Sequence, residues 1–182
     1  MKDRIGMLIL IFLIVWSCET IHTDNPNYQV YSTILSSFEA NTLIVRKYTK
    51  PLGNNYDYYT LVQKMTLLEE DTFNDFKMKV NLPDTLDNLF TIKKQIFLMT
   101  DDEIKKAFSS PKEYFGNDLY KKIVTIQGTT TFSRIGFNKS RTQALLCDWT
   151  QTGEFGGSGY FSLFERKHNK WKLKQSKLIG IS

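Results

Sequence analysis

The chain has 182 residues, about one domain's worth, with 41% hydrophobic, 14% aromatic and 24% charged residues, so it can close a core and is not a disordered chain. Four prolines and ten glycines exclude collagen-like and proline-rich sequences, two cysteines exclude a disulfide-dense scaffold, and two histidines speak against a histidine-rich metal site. No apolar run reaches the ~18–20 residues of a membrane-spanning helix.

Residues 1–17 read as a lipoprotein signal peptide. Met1-Lys2-Asp3-Arg4 is a short, weakly positive start, and Ile5 to Trp16 is the apolar stretch of an export signal, too short to span a bilayer. Val15-Trp16-Ser17-Cys18 then places a small residue directly before a cysteine. This resembles a bacterial lipobox, which implies cleavage before Cys18, acylation of its thiol and anchoring of an exported protein in the cell envelope. Two or three acyl chains anchor stably where one is marginal. An ordinary secretory signal cut near Ser17, or a retained signal anchor, are the alternatives.

Removing residues 1–17 leaves 165 residues with 22 Lys and Arg against 18 Asp and Glu, a net charge of +4. That is far from the charge density of a nucleic-acid binder. If Cys18 is acylated, Cys147 has no partner within the chain and behaves as a small buried hydrophobe. If Cys18 is free, a Cys18–Cys147 disulfide is open to it in an oxidising compartment. Catalysis by Cys147 is disfavoured, because the nearest histidine, His168, falls in a predicted turn.

Residues 18–24 form a tether and 25–182 one domain. Asn25-Pro26 is a strong helix start, and Tyr31, Ile34, Leu35 and Phe38 make one apolar stripe, predicting a helix over 26–38. Thr42–Tyr48 reads as a strand, 56–68 is ambiguous, 67–80 suits a helix and 81–94 a loop. Gln95–Met99 reads as a short strand. Thr100-Asp101-Asp102-Glu103 has capping-box spacing, and Ser110-Pro111 repeats the device, predicting helices over 101–108 and 111–122. After Gly128 the period becomes that of strands, over 129–137, 142–149, 159–167 and 171–178, with hairpin-length turns. The expected fold is α+β, with N-terminal helices packed on one face of a C-terminal antiparallel meander of about four to five strands.

Thr152 to Gly159 holds the densest glycine in the chain, but neither a Lys-Ser/Thr pair nor a helix follows, so it is not a phosphate loop. It reads as a hairpin connection with positive-φ positions. The functional alternative is a ligand-binding loop of Trp149, Phe155, Gly156, Gly157 and Tyr160. Lys170, Lys172 and Lys174 alternate with Trp171 and Leu173, which places the lysines on one strand face. They protect an edge, or they contact an anionic membrane surface or acidic glycan. The clusters Glu69-Glu70-Asp71 and Asp101-Asp102-Glu103 stand at helix starts, where carboxylates complement the macrodipole. Asp148 has no such explanation. Asn138-Lys139-Ser140 has the spacing of a glycosylation sequon, read as coincidental beside a bacterial signal.

Phe132-Ser133-Arg134-Ile135-Gly136-Phe137-Asn138, Thr142-Gln143-Ala144-Leu145, Gly156-Gly157-Ser158-Gly159-Tyr160 and Lys170-Trp171-Lys172 together resemble a family of uncharacterised bacterial exported proteins, many of them predicted lipoproteins. The resemblance implies export and no particular activity. The order of elements also resembles cystatin-like and NTF2-like α+β domains, which often hold a ligand cavity between sheet and helix.

The leading expectation is a lipid-anchored, non-enzymatic envelope protein that binds an unknown protein or glycan, with no cofactor, metal or nucleic acid. The alternatives are an inhibitor or immunity-type protein acting on a toxin or hydrolase, and an envelope hydrolase using Asp148.

Overall fold

The structure, a computed structural model, describes residues 24–52, 60, 62, 64–110, 114, 116, 128–152 and 156–181. The signal peptide, Cys18, Phe155 and most of the expected 111–122 helix lie outside the described residues. Among the described residues, three helices and seven strands have defined bounds, and the class is α+β. No helix among them is long and apolar enough to cross a membrane.

Helix α1 is Pro26–Ser37, capped by the Asn25 carboxamide oxygen, which accepts from the Asn27 N–H at 3.0 Å. Strand β1 is Thr42–Arg46, α2 Glu70–Lys79, β2 Gln95–Met99 and α3 Asp101–Ser109. The capping box of α3 forms as expected: the Glu103 N–H donates to the Thr100 hydroxyl, and the Thr100 N–H donates to the Glu103 carboxylate at 2.8 Å. Strands β3 (Thr129–Phe132), β4 (Gly136–Phe137), β5 (Gln143–Thr152), β6 (Gly156–Lys167) and β7 (Lys170–Ile181) complete the chain. The β6–β7 turn is a two-residue hairpin with positive φ at both His168 and Asn169, the conformation that matches strand twist.

The architecture departs from the expected helices-then-meander. The strands form one mixed sheet in the order β2-β1-β3-β5-β6-β7, with β4 also on β5, and the helices are interleaved with the first strands. β1 runs parallel to both β2 and β3, whereas β3–β5, β4–β5, β5–β6 and β6–β7 pair antiparallel. The composition of β1 explains its place: Leu43, Ile44 and Val45 are fully buried, as strands covered on both faces require. The 129–137 strand is broken at Ser133, whose N–H donates to the Cys147 carbonyl at 2.8 Å. Its hydroxyl accepts from the Cys147 N–H at 2.9 Å, so a side chain closes the ladder where the backbone swings out.

Helices cover both faces, not one. On one face α1 packs against Leu43, Val45, Phe132, Leu146, Phe164 and Trp171. Tyr31 stacks on Phe132 with centroids 4.7 Å apart, and its hydroxyl donates to the Ser133 carbonyl. Alternation along the strands sends their neighbours to the other face. There Phe76 and Val80 of the α2 region meet Leu145, Cys147, Phe161 and Leu163, while Ile104 and Ala107 of α3 meet Ile44 and Met99.

Candidate functional site

On the α2/α3 face, strands β1, β3, β5 and β7 present Arg46, Thr131, Cys147, Trp149, Gln151 and Ile179 to one cleft of about 270 Å³, which Lys50, Pro51 and Leu52 also line. The site rests on the seating of Trp149. Gly159 is directly opposite Trp149 on β6, and Gly180 is opposite Gly159 on β7. A Cβ on Gly159 would fall 2.1 Å from Cε3 of the indole, and one on Gly180 would fall 3.7 Å from Cζ3. The six-membered ring of the indole therefore sits directly over Gly159 and within van der Waals reach of Gly180, and Trp149 is half-buried. A side chain at 159 would fill the space it uses, whereas a Cβ at 180 would only touch it.

The rest of the cleft is amphipathic. Cys147, Ile179 and Leu52 extend the apolar wall from Trp149. The Cys147 thiol is free and buried, and burial pushes its pKa well up, so it is a neutral packing group. Arg46 closes β1 and is ion-paired with Asp101 at the first turn of α3. Burial lowers the pKa of its guanidinium. Lys50 is exposed, and its backbone N–H donates to the Phe132 carbonyl at 2.9 Å, which fixes the segment beside the cleft.

The expected binding residues are only partly brought together. Trp149 lines the cleft, whereas Tyr160 projects from the opposite face, because its neighbour Phe161 packs under α2. Gly156 and Gly157 belong to strand β6, not to a loop, and neither takes a positive φ. Phe155 lies outside the described residues. Lys170 and Lys172 are exposed on edge strand β7, and Lys174, at a register irregularity, pairs with Glu165 at 3.1 Å. Arg46, Lys50, Thr131 and Ile179 went unnoticed in the sequence. Only the basic end of Thr42–Arg46, charge following three apolar residues, could have marked one of them.

Asp148 is buried on the α1 face, away from the cleft, and accepts the Ser162 hydroxyl at 2.9 Å. Burial pushes its carboxyl up to about 6 despite that hydrogen bond. No group of three or more His, Cys, Asp or Glu among the described residues is placed to hold a metal.

Residues of the family-like pattern take architectural positions. Asn138 is buried and uses its whole side chain: Oδ1 accepts from the Thr142 and Gln143 N–H groups, and Nδ2 donates to Glu69 and Thr142. Gln143 accepts from the Glu69 N–H and donates to the Leu67 carbonyl. Glu69, read as a helix-start charge, makes no capping bond with its side chain and instead receives Asn138. The sequon nitrogen is thus committed to holding α2 on the sheet.

Comparisons with protein families, with curated protein sequences and with solved structures find no match for this chain.

Proposed function

We propose that this is an exported, lipid-anchored and non-enzymatic envelope protein that binds a ligand in the cleft beside Trp149. The anchor is assigned to Cys18 from the lipobox-like Val15-Trp16-Ser17-Cys18, and the membrane is its first partner. The binding role is carried by one observation: a half-buried indole packed over Gly159 lines, together with Arg46 and Lys50, a concave site with an apolar wall. A core tryptophan needs no glycine track and no adjoining cations. Asp148 contributes nothing here, since it lies on the other face and bonds to Ser162.

Two measurements test this reading. The mature wild type should carry diacylglyceryl mass on Cys18 and partition into detergent, and Cys18→Ala should do neither. Small molecules released by denaturing the purified protein should include a species missing from Trp149→Ala and retained by Tyr160→Ala. Equal release from all three proteins would remove the cleft from consideration.

Edge strand β7 favours a second reading, inhibition of a protein partner. On the α1 side it exposes Leu173, Leu178 and Ile181, the last 76% accessible. A long strand at a sheet edge can accept another chain. A stoichiometric protein complex lost in Leu178→Lys and kept in Trp149→Ala would favour it.

A further inference from the structure

Resting on the cleft reading above, we propose that the ligand is a small aromatic monocarboxylate, its ring on the exposed face of Trp149 and its carboxylate at Lys50 and Arg46. Size, shape and charge each narrow the choice. The cleft holds about 270 Å³, at or below the ~300–1,000 Å³ of sites that enclose drug-sized ligands. One or two fused rings fill that space, whereas most of an oligosaccharide or a protein segment would lie outside it. Trp149 supplies an aromatic wall: its ring packs over Gly159 and is half-buried, so part of it stays open to the cleft. A flat ring offers offset stacking to another ring, a gain beyond the area buried that a branched alkyl group does not collect.

The charge count selects one negative charge. Arg46 is already paired with Asp101, while Lys50 makes no ion pair with a described carboxylate, so the group Arg46, Asp101 and Lys50 carries a net +1. A monoanion neutralises it, and a dianion would leave excess negative charge beside Asp101. Among the described lining residues, the Thr131 hydroxyl and the Gln151 carboxamide are the remaining polar side chains beside Trp149 on β3 and β5. Both suit an acceptor-rich carboxylate.

The test uses 2-naphthoate and its neutral analogue 2-naphthylmethanol, dialysed to equilibrium against the purified full chain. The acid should bind about tenfold tighter than the alcohol, a difference of about 1.4 kcal/mol. Lys50→Gln should abolish that preference while leaving the alcohol's affinity unchanged. Trp149→Ala should remove binding of both, and Trp149→Phe, which keeps a ring on the glycine track, should restore part of it. Lys170→Gln, at the opposite end of β7 from Ile179, should change nothing. Equal binding of acid and alcohol, a preference that survives Lys50→Gln, or no binding of either would overturn the carboxylate assignment. A species released from wild type but not from Trp149→Ala would leave the cleft reading standing even then, so the two failures are distinguishable.

Discussion

Asn138 and Asp148 are buried polar residues with opposite energetic characters. Asn138 has every donor and acceptor matched, so truncation strands partners on α2 and on the β4–β5 turn. Asn138→Ala should cost about 3 kcal/mol of unfolding free energy, measured by denaturant titration. A loss below ~1 kcal/mol would mean that water replaces the side chain at no cost. Asp148 has a single side-chain partner, and burial raises its folded pKa to about 6 from 3.8. The folded state therefore binds the proton more tightly than the unfolded state. The stability this contributes is fully present below pH ~4 and is lost as pH rises through about 6. Asp148→Asn keeps an acceptor for Ser162 without the charge. It should flatten this decline and stabilise the protein at pH 7–8 by on the order of 2–3 kcal/mol. Parallel pH–stability curves for the two proteins would refute the assignment.

At the scale of the element, close approach matters as much as apolar area. Helix α2 passes so near β4 that a Cβ on Gly136 would lie 2.3 Å from the Phe76 backbone nitrogen. The Asp75 carboxylate, on the same helix, accepts the Phe137 N–H at 2.8 Å. Since the obstruction is backbone, Gly136→Ala must push the helix off the sheet, and a loss of about 2–3 kcal/mol is expected from thermal or denaturant unfolding. Gly159→Ala meets an indole, which can swing aside. It should cost less stability than Gly136→Ala yet shift Trp149 fluorescence and empty the cleft. If Gly159→Ala binds as well as wild type, the seating of the indole over Gly159 is irrelevant to recognition. The α3 cap was legible because its geometry is contained in four consecutive residues. The Gly159–Trp149 seat was not, because its residues are on different strands and meet only once β5 and β6 are in register.

For the whole molecule, the first strand is not peripheral. β1 sits between β2 and β3, and α1 covers the opposite face from α2 and α3. The C-terminal strands therefore lack half of their covering without the N-terminal third. Phe132 loses Tyr31, and Ser133 loses the Tyr31 hydroxyl. A fragment of residues 128–182 should show no cooperative unfolding and little amide dispersion, whereas the full chain should unfold in one transition. A folded 128–182 fragment would show that the meander is autonomous after all.

Residues close together in the sequence were legible from it alone: the α1 and α3 caps, the polar face of β7, and the hairpin turn at His168 and Asn169. Each depends on spacing within a few positions, where helix and strand periodicities act directly on side-chain direction. Tertiary structure decided the rest. It inserted β1 beside β3 in parallel, turned Tyr160 away from Trp149, put α1 on the far face, and carried Arg46 and Lys50 to the cleft that Trp149 lines. A strand exposes two equivalent edges and two faces, and only burial against distant segments selects among them. The cleft lies where four such selections meet, and no local run of residues contains it.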